Sequence, residues 1–265
     1  MKNNLSLVMI AYNAEGTIEQ SLISVQGLVD DIIIVDNYST DKTVDIAKKY
    51  GVTIIFYQGK NRGIQCQLGI NQTTNNWVLI LDSDETVSKE LKQEIVTLLN
   101  CYIVKEDGFF VPFQSYYLGR KLYRGGENYK KLILFRRDKA KIEPLAVHYV
   151  CQISSGKIGT LKNKVNHYSY RNLLDIYKKF FHYGLEEAKL KIKAGEKTSF
   201  KKIFFYPAHM FWSRFIKDKG YKDGLFRIPL DLGFAYMEFV TYASMLFIRS
   251  NIKYQRSKLQ IKIQK

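Results

Sequence analysis

Over the first hundred residues, short apolar runs alternate with stretches of helical period. "LSLVMIA", "DIIIVD", "VTIIFY" and "NWVLILD" are the runs; "TIEQSLISV", "TDKTVDIAKKYG", "RGIQCQLGI" and "SKELKQEIVTLLN" lie after them in turn. Strands this continuously apolar are buried on both faces, and helical crossovers between them are right-handed, so the pattern predicts an α/β fold with a doubly wound, mostly parallel sheet. Local punctuation agrees: Thr40 or Asp41 can cap the second helix, Gly51 can end it and Ser88 can cap the fourth.

Beyond residue 108 the text becomes aromatic, basic and punctuated by glycine, as in "GFFVPFQSYYLGRKLYRGGENYKKLILFRRDK" and "KIGTLKNKVNHYSY", which reads as strands completing the sheet. Apolar positions 173, 176, 177, 180, 181, 185 and 188, with Gly184, form the stripe of a helix over about 173–192. From Phe200 aromatics interleave with Lys and Arg, while Arg227, Asp231 and Glu238 interrupt any apolar run long enough to span a bilayer. The expected division is a catalytic domain over 1–165 and a helical, basic region over 166–265.

Charge sharpens that division. The chain carries a net +16, but residues 1–100 hold 8 Lys/Arg against 12 Asp/Glu, leaving 33 against 13 for the remainder. Residues 162–265 alone hold 22 against 8. A basic, aromatic region suits an anionic membrane surface, a phosphorylated ligand or nucleic acid. Cys66, Cys101 and Cys151 are too few and too scattered for a disulfide framework or a zinc site, and "MKNNLSLVMIAYNAEG" lacks the features of a signal peptide, so a cytoplasmic protein is expected.

The candidate chemistry lies where the apolar runs stop. The first strand ends at Tyr12, Asn13 and Glu15, the second at Asp36, and the fourth at Asp82, Asp84 and Glu85. Carboxyl ends of parallel strands form the ligand crevice of a doubly wound fold. In extended chain Asp82 and Asp84 share a side, their Cα atoms roughly 7 Å apart. Such a pair suits Mg²⁺ or Mn²⁺, which take one or two carboxylates together with phosphate oxygens.

These segments resemble the inverting family-two glycosyltransferases of GT-A fold. "LVMIAYNAEGTIEQSLISV" is similar to that family's opening strand, loop and helix, "IIIVDNYSTDKTVDIAKKYG" to its second strand and turn, and "NWVLILDSDETVS" to its DxD segment. The resemblance implies that Tyr12, Glu15 and Asp36 hold the base and ribose of a nucleotide diphosphate sugar, most simply a UDP-sugar, with Arg62 and Gln65 also on the donor. It implies that Asp82 meets the ribose or the metal, and Asp84 the metal. "YYLGRKLYRGG", "LILFRR", "NHYSY" and "GYKDGLFR" further resemble the subgroup with lipopolysaccharide-core glucosyltransferases, implying transfer of a hexose to a bacterial glycan or glycolipid acceptor. The chain departs from that subgroup where Tyr149 follows Val147-His148 in place of a glutamate, and where "YKKLILFRR" lacks an acidic residue. An inverting transfer needs a base for the acceptor hydroxyl; Glu127, Glu143 and His148 are the candidates. His167 is a candidate contact to metal or phosphate, or a core histidine. The acceptor-channel motif Gln-x-x-Arg-Trp of processive synthases is absent, so one sugar per encounter is expected.

Two other readings compete. "LDSDETV" fits a haloacid-dehalogenase-type phosphatase, but the later aspartates (Asp138, Asp175, Asp218, Asp223, Asp231) form no pair after an apolar strand. A nucleic-acid-binding module would use the basic, aromatic half but leaves the acidic crevice without a role, so no nucleic-acid partner is expected.

Overall fold

The computed structural model describes residues 4–59, 61–101, 103–127, 129–144 and 149–263. His148 lies outside them. The first hundred residues form β1 (Leu5–Ala11), α1 (Ile18–Val25), β2 (Asp31–Asp36), α2 (Thr43–Lys48), β3 (Thr53–Phe56), α3 (Arg62–Gln72), β4 (Trp77–Asp82), β5 (Glu85–Val87) and α4 (Lys89–Leu99). Then follow β6 (Gly108–Tyr117), β7 (Arg120–Lys121), β8 (Lys130–Arg136), β9 (Ala140–Pro144), β10 (Tyr149–Ile153), β11 (Ile158–Thr160), β12 (Val165–Tyr170), α5 (Leu173–Lys193), α6 (Phe200–Trp212) and α7 (Ile228–Ile263).

The main path of the sheet runs β3-β2-β1-β4-β8-β6-β12-β5. Its first four strands are parallel, with β1 between β2 and β4, and β8 then pairs antiparallel to both β4 and β6. Every residue of β1 is buried, Ser6 included, as expected of a central parallel strand that is apolar at its six other positions. This is the mostly parallel GT-A arrangement expected. β5, squeezed between the DxD segment and the Ser88 cap of α4, is an addition: three residues are too few to show a period.

The helix punctuation is partly as read. Ser88 caps α4 by accepting the Leu91 N–H, and Gly51 follows α2 at φ +65°. Asp41 accepts the Thr43 N–H at 3.0 Å but stands one residue before the α2 cap position, which Lys42 occupies.

The chain forms two compact units. One comprises residues 1–115 and 128–169, the other 116–127 and 170–265. The first holds the sheet core, from Leu5 and Leu7 to Leu134 and Val165. The second is built on α5, α6 and α7, with Tyr117, Leu122, Ile176, Phe180 and Leu230 in one cluster and Ala188, Ile203, Tyr242 and Met245 in another. The segment 116–127 belongs to this second unit through a buried ion cluster. Arg227 Nε donates to Asp231 at 2.8 Å, its Nη1 to Asp223 at 3.0 Å and to the Arg124 carbonyl at 2.8 Å. Asp223 in turn accepts the Tyr123 and Arg124 N–H groups. Gly125, at φ +67°, leaves the room that this guanidinium fills; a Cβ there would stand 2.0 Å from Arg227 Nη2.

Candidate active site

The site assembles at the carboxyl ends of β1, β2 and β4. The register sets Ala11 opposite Asp36 and Ile10 opposite Asp82, so loops after three adjacent parallel strands meet. The loops after β1 and β2 are stitched reciprocally. Asp36 accepts the Ser39 N–H at 2.7 Å and the Ser39 hydroxyl at 2.5 Å, and Ser39 Oγ accepts the Asn13 N–H at 2.9 Å. Asn13 Oδ1 accepts the Thr40 N–H, Glu15 accepts the Lys42 N–H, and Asp41 accepts the Glu15 N–H. Asn13 and Tyr38 adopt positive φ to make these turns. Burial would raise the Asp41 carboxyl, but hydrogen bonds from Thr43 and Glu15 outweigh it and hold it below the ordinary range.

Of the predicted donor residues, Asp36 and Glu15 therefore hold the loops, while Tyr12 projects to solvent. Exposed Tyr38 and Phe56 add an aromatic pair with centroids 5.5 Å apart, which the sequence reading did not select. Arg62 opens α3 behind the Asn61 cap and pairs with Asp82 Oδ1. Gln65 is buried and donates to the Gly59 carbonyl at 3.3 Å, bracing the loop before α3.

The three carboxylates at the end of β4 and just after it each face a basic side chain. Asp82 meets Arg62, with Lys131 Nζ 3.9 Å from its other oxygen. Glu85 is buried; its Oε1 accepts from Lys131 at 2.9 Å and its Oε2 accepts the Asp82 N–H at 2.9 Å. Asp84 Oδ2 stands 3.4 Å from His167 Nε2. The pairing of β12 with β5 accounts for the histidine, because it sets His167 opposite Glu85, and the Tyr168 N–H donates to the Asp84 carbonyl. Tyr129 Oη lies 2.8 Å from His167 Nδ1, so the imidazole is held at both nitrogens. Phe113 stacks on Tyr129 at 5.0 Å and lies under Lys131 Nζ at 4.6 Å.

These contacts shift the titrations. Burial first, and then the Asp82 charge, push the Glu85 carboxyl up against the opposing pull of Lys131 and His167. Burial would lower the Lys131 ammonium, but Glu85 and then Asp82 hold it above its ordinary value. Burial would likewise lower His167, and the hydrogen bond and charge of Asp84 outweigh it, favouring imidazolium.

The donor set fits a divalent cation at Asp84 better than at Asp82. An imidazole beside a carboxylate would suit Mn²⁺ once the ion displaces the Nε2 proton, whereas Asp82 is already compensated by two side-chain cations. Among the described residues no group of three or more His, Cys, Asp or Glu side chains forms a metal cluster.

The candidate bases separate. Glu127 lies in the second unit, buried, paired with Arg214 and 3.7 Å from Arg227 Nη2. Glu143 sits in β9 of the first unit, half-buried next to buried Ile142, and alternation along the strand turns the two to opposite faces.

Sequence reasoning missed the roles of Glu85, Lys131 and Tyr129. Only a lysine inside the apolar strand "KKLILFR" signalled a buried counter-charge.

A parallel sheet whose strand ends gather acidic residues, extended by antiparallel strands, defines the GT-A class. The sequence pattern of glycosyl transferase family 2 matches residues 6–220, and the chain belongs to that family. It is 28% identical over 210 residues to a glycosyltransferase of Rickettsia typhi, covering 74% of this chain and 70% of that one. A Rickettsia bellii glycosyltransferase is 26% identical over 260 residues, covering 92% and 87%. Among solved structures, Staphylococcus aureus TarS 1-349 in complex with UDP-GlcNAc is similar at 14% identity, TM-score 0.48, covering 95% of this chain and 92% of that one. Mycobacterium tuberculosis glucosyl-3-phosphoglycerate synthase, in complex with Mn²⁺, UDP and its product, is similar at 18% identity, TM-score 0.42, covering 74% and 81%. Family membership leaves the phosphatase and nucleic-acid readings without support. Among the described residues, no helix is long and apolar enough to cross a membrane.

Proposed function

We propose that the chain moves a single sugar, a hexose such as glucose, from a UDP-sugar to a bacterial surface-glycan acceptor of the lipopolysaccharide-core type, with inversion at the anomeric carbon. The observation that carries this reading is the compensated carboxylate cluster of Asp82, Asp84 and Glu85 at the end of β4, beside the stitched β1 and β2 loops. Tyr12, Glu15 and Asp36 take the base and ribose, and Arg62 moves from Asp82 to the donor diphosphate. Asp84 and His167 would hold Mn²⁺ or Mg²⁺, with Asp82 on the ribose or the ion, and an ion bound there would supply Lewis-acid neutralisation of the leaving diphosphate. Lys131 stays on Glu85 and keeps the buried carboxylate from repelling the donor.

The acceptor hydroxyl gives its proton to a base drawn from Glu143, His148 and Glu127. Of these, Glu143 belongs to the unit of the carboxylates and is half-buried there. The catalytic domain is assigned to 1–165 and acceptor contact to 166–265, whose net charge of +12 (20 minus 8) and aromatic content support peripheral binding to the inner face of the cell membrane.

A thermal-shift panel of nucleotide sugars with and without Mn²⁺, followed by a transfer assay, tests the proposal. A UDP-sugar should raise the melting temperature only with the metal present. No shift with any nucleotide sugar, or equal shifts with and without metal, would remove it.

A further inference from the structure

We infer that α6 is a membrane-docking helix that lies in the plane of an anionic lipid surface and inserts its aromatic face. This deepens the proposed membrane contact of the C-terminal region and rests on that reading. The face is defined by what the helix fails to bury. Ile203 alone in α6 is buried, while Phe200 and Phe204 are 74% and 70% exposed, and Phe205 and Trp212 are also exposed.

The spacing is that of one helical stripe. Phe200, Phe204, Ala208 and Trp212 recur at four residues, with Phe205 and His209 beside them, and exposed Ile216 continues the row through the π-helical turn Ser213–Lys217. His209 bridges the rings, stacked on Phe205 at 6.1 Å and tilted to Trp212 at 5.9 Å. From residue 200 to 216 the stripe runs about 24 Å along the axis at 1.5 Å per residue, so it can enter a surface only if the helix lies flat. A contiguous apolar face of this length marks an interaction site on a soluble fold.

Charge identifies the occupant. Residues 197–217 contain no Asp or Glu, and Lys201 and Lys217 are exposed near the two ends of the stripe. After Glu238 the chain adds Arg249, Lys253, Arg256, Lys258, Lys262 and Lys265 with no acidic residue. Cations flanking aromatic side chains match the boundary of anionic headgroups and acyl chains, where amphipathic rings and lysine stems partition. Glu196, just before this stretch, is bound by Lys191 and Lys202, and hydrogen bonds to these lysines hold its carboxyl down, so it adds no free charge to the face.

The chain carries its own reporter, because it has two tryptophans and Trp77 is buried in the sheet core. The full-length protein is mixed with vesicles of phosphatidylethanolamine and phosphatidylglycerol, and with phosphatidylcholine vesicles as control. Trp212 emission should shift to the blue on the anionic vesicles and be quenched by bromines near the headgroup end of the acyl chains. Phe204→Ala/Phe205→Ala, which removes exposed rings and should leave the thermal melt and any donor-sugar hydrolysis unchanged, should weaken vesicle partitioning by about a hundredfold. If the full-length protein binds but this variant binds equally and Trp212 does not respond, α6 is not the docking element and the broader membrane reading stands. If the full-length protein stays in solution, both fall. A doubled mass in light scattering without vesicles, abolished by the variant, would instead make the face a contact between copies and overturn the inference.

Discussion

Replacing Lys131 with methionine tests whether the carboxylates after β4 are held by the cation the fold sets beside them. Lys131 is 2.9 Å from Glu85 Oε1 and 3.9 Å from Asp82 Oδ2, and Glu85 is buried. Removing one partner of a buried ion pair costs about 3–5 kcal/mol, because the other charge remains without compensation. The lysine side chain keeps 38% of its exposure, so water reaches the pair and the lower end, about 3 kcal/mol, is expected. Methionine preserves the stem, and its sulfur over the Phe113 ring offsets most of the lost cation–π contact, each worth about 0.5–1 kcal/mol.

The loss depends on pH with a definite sign. Burial and Asp82 raise the Glu85 carboxyl above its ordinary value of 4.5 in the folded state, and the variant deletes the strongest influence opposing them. A folded-state pKa above the unfolded one means that the penalty is full at pH above the folded value and fades as pH falls through it toward 4.5. Urea denaturation of wild type and Lys131→Met at about pH 8 should show a midpoint lower by about 1–1.5 M for the variant, and the gap should narrow at about pH 5. Glu85→Gln/Lys131→Met should recover part of the loss. A gap that is the same at both pH values, or a variant within about 0.5 kcal/mol of wild type, would refute the reasoning.

His167→Ala should weaken Mn²⁺ binding in the presence of UDP by about 10–100-fold, read by electron paramagnetic resonance titration; unchanged affinity would remove the histidine from the metal site. Arg227→Ala should destabilise the second unit by about 3–5 kcal/mol in chemical denaturation, since Asp231 and Asp223 lose their buried partner; a cost under about 1 kcal/mol would contradict the anchoring role. Glu143→Gln should lower turnover by about a hundredfold or more with saturable donor binding retained, whereas Glu127→Gln should lower the melting temperature and leave the pH profile intact; the reverse pattern would move the base to Glu127. Burial pushes the Cys151 thiol up to about 12 and encloses Cys66, so a thiol reagent at neutral pH should label exposed Cys101 alone in the native protein, and rapid labelling of a second cysteine would disprove the packing around β10.

The parallel half of the fold was legible because its strands are central. A strand buried on both faces writes nearly its whole length in apolar residues, and β1 (Ser6 apart), the Ile32–Val35 run of β2 and the Trp77–Leu81 run of β4 do so. The positions of Asp36 and Asp82, the residues proposed to meet the donor, followed from them, since they are simply where those runs end. What stayed hidden was long-range pairing. His167 reaches Asp84 only because β12 lies antiparallel to β5, and β5 itself is three residues long. The membership of 116–127 in the second unit depends on Asp223 and Arg227 gripping backbone about a hundred residues earlier, as the Tyr123–Asp223 separation of 100 residues records. No local period encodes such a contact, and "RGGEN" reads as a turn whichever unit it joins.

The same physics separates an anchor from a site in this chain. Both units gather carboxylates with arginine or lysine, and desolvation makes an unpaired charge costly in either. In the second unit the pairing is closed. Arg227 is completely buried, and its donors go to Asp231, Asp223 and the carbonyls of Arg124 and Gly125, geometry that fixes a segment rather than awaiting a ligand. In the first unit it stays open, since Asp82 and Asp84 retain 22% and 27% exposure and their partners Arg62 and His167 sit on separate elements. Under the proposed function, a polyanionic donor arriving there would take over Arg62 while a metal took Asp84, exchanging one set of compensated charges for another. Buried in the manner of Asp231, the same carboxylates would have to be stripped of their partners at a cost that no donor contact in view would offset. Partial exposure at the end of β4 thus leaves the charged cluster compensated and yet open to an exchange of partners.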